Sequence, residues 1–164
     1  MILDEQQAIK GQCSNNEHQY SSRCQSLVKI LNPDDNYCLA REINVGIKYW
    51  KCGEDRMHPD FITYWRHQDQ HQAQAEALLS DAGIPTTKTV YGVKEAKKIQ
   101  QLLNRRYGEW QVRLVIFSNR LHNRIAWKGW TEHAAAYNLC LYHESDHFGF
   151  IGSPQQLLKV RLLL

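Results

Sequence analysis

The sequence contains no apolar run that approaches the roughly 20 residues of a transmembrane helix. Residues Met1 to Gln6 include two acids and lack the basic start and the apolar stretch of a signal peptide. The net charge is only +3 at pH 7, which by itself is too small to argue for nucleic acid binding. These absences predict an intracellular protein, either cytoplasmic or nuclear, that has no membrane partner.

Cysteine is present, but its spacing is not that of a metal site. The five cysteines are Cys13, Cys24, Cys38, Cys52 and Cys140. No two of them form a C-x-x-C pair, and no pair of histidines follows a cysteine pair at zinc-finger spacing. An odd number of cysteines without a secretory signal favours reduced thiols. The sequence therefore predicts neither a metal site nor a cofactor.

Positive charge is concentrated in an amphipathic segment in the middle of the chain. Its basic residues are Lys94, Lys97, Lys98, Arg105 and Arg106. Glu95 stands among them, so acid is interspersed with base, and the net charge of the chain is small. The segment is therefore interpreted as the solvated face of a helix, and a nucleic acid partner is not expected.

The order of the periodic segments predicts an α+β fold. Apolar residues recur at helical spacing first and at strand spacing afterwards, and 164 residues suffice for one core. We expect helices over residues 37–53, 60–81 and 93–107, and strands within 26–30 and over 112–117, 124–127, 137–142 and 148–151. The helices should pack on a small, mostly antiparallel C-terminal sheet. Residues 1–26 are predicted to be an N-terminal arm or short helix, and residues 27–164 the folded domain.

Cys38 opens a helical pattern shortly after a turn cluster at residues 32–36. At the start of a helix, the macrodipole and the first N–H groups lower the pKa of a thiol. The same N–H groups can bind the oxyanion of an acyl-transfer intermediate. Cys38 is therefore a candidate nucleophile. The alternative interpretation is a structural thiol, because free cysteine is among the most buried residue types.

A nucleophilic cysteine needs a base, and the candidate is His147. This histidine opens the last strand-like segment of the chain. A histidine at the mouth of a strand can face the start of a helix that packs on the sheet, so the fold can bring the two residues together. His143, which lies four residues earlier, is the competing candidate.

Two short segments resemble the OTU (ovarian tumour) family of cysteine proteases. The segment Asp35-Asn36-Tyr37-Cys38-Leu39-Ala40-Arg41-Glu42-Ile43 is similar to the Asp-Gly-Asn-Cys-Leu-Phe-Arg-Ala-Ile signature of that family. The segment Leu139-Cys140-Leu141-Tyr142, a loop and then His147-Phe148 are similar to its final strands. The resemblance implies an OTU-like, papain-type fold over residues 27–164. It also implies a deubiquitinase, which cuts the peptide or isopeptide bond after the C-terminal glycine of ubiquitin.

The resemblance assigns roles to individual residues. Cys38 would be the nucleophile, His147 the base, and the backbone N–H groups of Asp35 and Cys38 the oxyanion hole. Gly149 stands where the family often has the Asp or Asn that orients the histidine. For that role Asp35 is the first candidate, and the alternatives are Asp34, Asn138 and Asp146. The implied partners are ubiquitin, a ubiquitin-like protein or polyubiquitin chains, whose Gly-Gly tail would lie in a channel near Trp127, Tyr142 and Phe148.

A second resemblance leads to the alternative function. Residues 26–46 are similar to an N-terminal region of the protein-primed DNA polymerases of Maverick (Polinton) transposons. The sequence has none of the carboxylate motifs that hold the metals of such a polymerase. This resemblance therefore implies a non-catalytic binding or structural domain of a transposon or viral polyprotein.

Overall fold

A computed structural model describes residues 10–11, 27–28, 36–144 and 146–152 of the chain. The helices within these ranges are α1 (Cys38–Lys51), α2 (Pro59–Arg66), α3 (His71–Asp81) and α4 (Val93–Tyr107). The strands are β1 (Lys10–Gly11), β2 (Leu27–Val28), β3 (Tyr91–Gly92), β4 (Val112–Ser118), β5 (Arg124–Lys128), β6 (Tyr137–Glu144) and β7 (His147–Ile151). Single turns of 3-10 helix cover Gln68–Gln70 and Asn119–Leu121.

The predicted α+β class is confirmed, and the elements near the candidate site begin and end close to their predicted limits. In the predicted N-terminal arm, β1 pairs with β3. The rest of that arm lies outside the described residues. The same holds for residues 29–35, which include Asp34 and Asp35. None of the described helices is long and apolar enough to cross a membrane.

Five strands form one mixed sheet in the order β2-β7-β6-β4-β5. The strand β7 pairs antiparallel with β2 and β6, and β5 pairs antiparallel with β4. The sheet is therefore mostly antiparallel, as predicted, but β4 and β6 run parallel at its centre. Every residue of β4 and β7 is buried. The two histidines of the candidate site lie in the hairpin that β6 and β7 form beside β4.

The helix α1 packs directly on the strands β6 and β7. Gly46 allows this close approach, because a Cβ atom at that position would lie 2.5 Å from Cγ of Leu139. The hydroxyl of Tyr137 donates to the carbonyl of Gly46 over 3.4 Å, and the rings of Tyr49 and Phe150 meet with their centroids 5.4 Å apart. The second half of α1 therefore lies over the beginning of β6 and the end of β7.

The prediction of one long helix over residues 60–81 is wrong, because the chain forms two helices with a break at His67. The sequence does not reveal the break, because residues 66–72 are all polar and include neither glycine nor proline, the usual signals of a helix end. The break lets His71 turn inward and reach the carbonyl of Tyr64, 2.9 Å from its Nε2 atom. That carbonyl is one of the last in α2, which have no partner inside the helix. The imidazole also stacks on the Tyr64 ring, with centroids 4.5 Å apart.

We expect the stability of the fold to fall as His71 becomes protonated. Burial holds the pKa of His71 below its ordinary value, and this effect exceeds the opposite one of the Tyr64 carbonyl. The unfolded chain therefore binds more protons at this position as the pH falls below about 6.5, so stability from His71 is present above that pH and lost below it. Urea unfolding at about pH 7.5 and about pH 5.5 should show a smaller loss for His71→Gln than for the wild type. An equal loss in both proteins would contradict this role of His71.

Candidate active site

Cys38 is the first residue of α1, and its side chain is fully buried. Tyr37 precedes the helix, and its carbonyl accepts the N–H of Arg41 over 2.8 Å, which closes the first turn. The hydroxyl of Tyr37 donates to the carbonyl of Thr86 over 2.9 Å, so the entry to the helix is tied to the loop after α3. The predicted position of Cys38 at a helix start is therefore confirmed, and the helix dipole there favours a thiolate.

The carboxylate of Glu42 fixes the helix against the last strand. Its Oε2 atom accepts the backbone N–H of Phe150 over 3.0 Å. Phe150 is paired with Leu141 across the hairpin, whereas Gly46 lies over Leu139. Glu42 therefore lies near the level of Leu141, and Gly46, four residues later in the helix, lies over the earlier strand residue Leu139. The helix α1 is therefore antiparallel to β6 and parallel to β7.

This register brings the start of α1 to the turn of the β6–β7 hairpin. Cys38 lies one helical turn before Glu42, about 6 Å along the axis. His147 lies three residues before Phe150, about 10 Å along the strand. His147 is paired with Glu144, beside His143. Cys38 and both candidate histidines consequently lie at the same end of the sheet.

His143 has its side chain on the face of the sheet that α1 covers. Side chains alternate along a strand, and Leu139 and Leu141 of β6 belong to the core beneath the helix. The His143 ring contacts the ring of Phe148 at 5.1 Å between centroids, and its Nδ1 atom lies 3.4 Å from Oγ of Ser118. His143 is fully buried.

His147 belongs to the opposite face by the same alternation. It is two positions before Gly149, which pairs with Tyr142, and Tyr142, Cys140 and Ile151 form a separate apolar cluster. His147 is buried, with 5% of its surface exposed. It is, however, the first residue of its strand and follows the exposed Asp146, whose φ is +61°.

Sequence reasoning assigned no role to Glu42, although it is four residues after Cys38 and therefore on the same side of the helix. Burial raises the pKa of Glu42 well above its ordinary value. The Phe150 N–H and the nearby Arg41 lower this pKa, and the nearby Cys38 sulfur raises it, but burial has the largest effect. A protonated Glu42 does not repel a thiolate at Cys38. The spacing Cys-x-x-x-Glu in a helix was the signal available in the sequence.

The remaining candidates for the orienting residue have other partners. The side-chain oxygen of Asn138 accepts a hydrogen bond from Nε of Arg113 over 2.8 Å. Asn138 also lies at the opposite end of β6 from Glu144. Asp146 is next to His147 in the chain, but its carboxylate pairs with Arg120 over 3.2 Å at the surface. Asp34 and Asp35 lie outside the described residues, and so does the N–H group that Asp35 would contribute to an oxyanion hole.

The other described cysteines are poor nucleophiles. Burial raises the pKa of Cys140 to about 12, an effect that the nearby Arg113 only partly offsets. Cys52 follows the last residue of α1 and therefore lies at the opposite end of the helix from Cys38. Both thiols are free and buried. Among the described cysteines, Cys38 alone lies at the helix end that favours the anion.

The three residues proposed to line a channel do not share one surface. Phe148 and the half-buried Trp127 belong to the core on the α1 side of the sheet. Tyr142 belongs to the cluster on the other side, and its hydroxyl donates to the side-chain oxygen of Asn123 over 2.5 Å. Strand alternation separates Phe148 from Tyr142, which the sequence motif alone did not take into account.

No three His, Cys, Asp or Glu side chains within the described ranges are grouped so as to hold a metal ion. No protein-family model matches the chain, and it matches neither a curated protein nor a solved structure. Cys38, Glu42 and the hairpin histidines are therefore the residues whose arrangement indicates a function.

We expect Glu42→Gln to be more stable than the wild type at mildly alkaline pH. The folded wild type retains a proton on Glu42 that the unfolded chain releases near pH 4.5, so its stability falls as the pH rises from 4.5 towards the raised pKa. Glutamine keeps the acceptor for Phe150 and has no proton to lose. Urea unfolding from acid to alkaline pH should show this fall only in the wild type.

Glu42→Leu is the control for the hydrogen bond. It leaves the buried N–H of Phe150 without its acceptor and should be less stable than Glu42→Gln by about 1–3 kcal/mol at every pH. If Glu42→Gln shows the same fall with pH as the wild type, the protonated state of Glu42 in the folded chain is refuted.

Proposed function

We propose that the chain is a thiol-dependent hydrolase whose nucleophile is Cys38. The observation that carries the proposal is the register of α1 against the β6–β7 hairpin. The hydrogen bond from Phe150 to Glu42 sets this register, and it puts the start of the helix and two histidines at one end of the sheet. A thiol at a helix start, an imidazole and first-turn N–H groups are the groups that thiol-dependent acyl transfer uses.

The substrate class that we propose is the bond after the C-terminal glycine of ubiquitin. This finer assignment rests on the similarity of the segments at Cys38 and His147 to the OTU signature. Cys38 would attack the glycine carbonyl, and N–H groups at the start of α1, with that of Asp35, would bind the oxyanion. The protonated histidine would then give its proton to the leaving lysine amine. The same histidine would deprotonate the water that hydrolyses the thioester.

We assign the base to His147 rather than to His143. This assignment rests on the similarity of the His147-Phe148 segment to the OTU signature, because the side chain of His147 is itself buried and lies on the sheet face opposite to α1. His143 faces the helix, but it is fully buried and has Ser118 and Phe148 as neighbours. Asp35 is our assignment for the residue that orients the imidazole, since Asn138 and Asp146 are engaged by Arg113 and Arg120.

Glu42 has a supporting part in this proposal. It lies one turn from Cys38 and holds the β7 backbone by accepting the N–H of Phe150. A protonated Glu42 adds no negative charge beside the thiolate. We therefore assign Glu42 as a positioning residue that fixes the distance between the helix start and the hairpin.

A second candidate function, a non-catalytic binding or structural domain of a transposon or viral polyprotein, is favoured by one observation. Cys38 has 0% of its surface exposed, and a nucleophile must meet its substrate. If this alternative holds, Cys38 is a core thiol and its substitution changes stability without changing any reaction.

We expect a ubiquitin probe with an electrophilic C-terminus to label the wild type covalently at Cys38. Cys38→Ala should abolish labelling, whereas Cys140→Ala should leave it unchanged, because the pKa of about 12 keeps that thiol protonated. Mass spectrometry of the conjugate identifies the labelled cysteine. Labelling at another cysteine would contradict the assignment of Cys38.

Two further outcomes separate the parts of the proposal. Labelling by a probe built on a ubiquitin-like protein, but not by the ubiquitin probe, would retain the thiol chemistry and reject ubiquitin as substrate. Failure of both probes, with a cooperative unfolding transition in the protein, would reject the hydrolase and favour the non-catalytic domain.

We expect His147→Asn to lower kcat/KM for a ubiquitin amide substrate by about 10²–10⁴-fold, the usual contribution of a general base. His143→Asn should have a smaller effect, and His122→Asn, which changes an exposed turn residue, should have none. A pH profile of kcat/KM gives a second readout, since loss of the base removes the titration of the histidine. A larger loss for His143→Asn than for His147→Asn would move the role of base to His143.

A further inference from the structure

Positive charge is unevenly distributed along the chain. Residues 88–128 contain half of the 20 lysines and arginines but only two of the 17 aspartates and glutamates. These two acids are Glu95 and Glu109. The helix α4 (Val93–Tyr107) lies in the middle of this segment. The small net charge of the whole chain therefore conceals a strongly basic region.

The fold removes Glu95 from the surface of α4. Its carboxylate is buried, accepts the N–H of Gly92 over 2.7 Å and pairs with Lys88 over 2.6 Å. Glu95 thus caps the start of the helix, because its carboxylate accepts the backbone N–H of the N-cap residue Gly92. The interpretation of this helix as a solvated face with mixed charge counted Glu95 on the surface, and that premise is wrong.

The outward face of α4 consequently carries basic side chains and no acid. Lys94, Lys97, Lys98 and Arg105 are exposed, and within the described part of the chain no carboxylate forms an ion pair with them. Gln101 lies between them and is also exposed. The distance from Lys94 to Arg105 along the helix is about 16 Å. We call these four cations the α4 basic stripe.

An exposed aromatic ring follows the end of the helix. Trp110 lies two residues after Gly108, which ends α4, and 38% of its surface is exposed. Its ring is held by the ring of Trp130, 5.3 Å away and nearly perpendicular, and by that of His133 at 4.2 Å. The ring is therefore fixed in position but open to solvent, as a stacking platform must be.

We infer that the α4 basic stripe and Trp110 bind single-stranded nucleic acid. The cations contact successive phosphates, and Trp110 stacks on a base. Proteins that bind single strands without sequence preference combine a basic track with such aromatic platforms, and four unneutralised cations on one helix face have the charge complementary to a phosphate backbone. This inference is independent of the proposed hydrolase.

The test is the binding of a fluorescein-labelled oligodeoxythymidine of about 12 nucleotides, followed by fluorescence anisotropy across a range of NaCl concentrations. Four phosphate contacts should give a slope of log K against log[NaCl] of about −2.8. Lys97→Gln with Lys98→Gln removes two of the contacts and should reduce the slope to about −1.4. Trp110→Leu should weaken binding about tenfold without changing the slope.

The matched control is Arg66→Gln with Arg124→Gln, which removes the same charge from exposed positions at the end of α2 and the start of β5. It should leave the slope unchanged. Equal effects of the two double variants, or no binding at low salt, would overturn the inference. Equal competition by polyglutamate at matched charge would also overturn it, because the surface would then bind any polyanion or an acidic protein.

Discussion

The hydrogen bond from the Phe150 N–H to Glu42 is the contact on which the candidate site depends. It joins a helix at residues 38–51 to a strand at residues 147–151. A buried N–H in a strand normally bonds to a neighbouring strand, and Phe150 is paired with Val28 of β2 and Leu141 of β6. Glu42 supplies the acceptor instead, so the helix is fixed to the strand by a polar contact as well as by apolar packing. Such a contact has one register, whereas apolar surfaces can slide.

The register of α1 against the hairpin has two opposite effects on the ionisation of the Cys38 thiol. It brings the positive end of the α1 dipole and two histidines to the same end of the sheet, which favours a thiolate at Cys38. It also buries Cys38 completely, which opposes a thiolate and restricts access. The raised pKa of Glu42 has the same origin as the burial of Cys38, since both side chains lie between the helix and the sheet. The raised pKa of Glu42 and the burial of Cys38 are thus two results of one packing arrangement.

Folding also changes how charge is presented at the surface. Glu95 turns inward to cap α4 and to pair with Lys88, while Asp81 pairs with Arg106. Glu95 and Asp81 are thereby engaged in the fold, whereas Lys94, Lys97 and Lys98 on α4 remain exposed. The free N–H groups at the start of a helix need an acceptor, and a carboxylate supplies it. Because Glu95 turns inward for this purpose, the exposed face of α4 keeps its basic residues.

Periodicity in the sequence determined the α+β class, the limits of α1 and α4, and the strands β4 to β7, because apolar spacing records which face of an element is buried. It also determined that Cys38 begins a helix and that His147 begins a strand. The tertiary structure alone decided three things. It split the predicted helix at His67, where His71 bonds to the Tyr64 carbonyl, and it assigned His143 and His147 to different faces of the sheet. It also made Glu42 the partner of Phe150. These three features depend on contacts between residues distant in sequence or on the direction of one side chain. The spacing of apolar residues along the chain records neither kind of information.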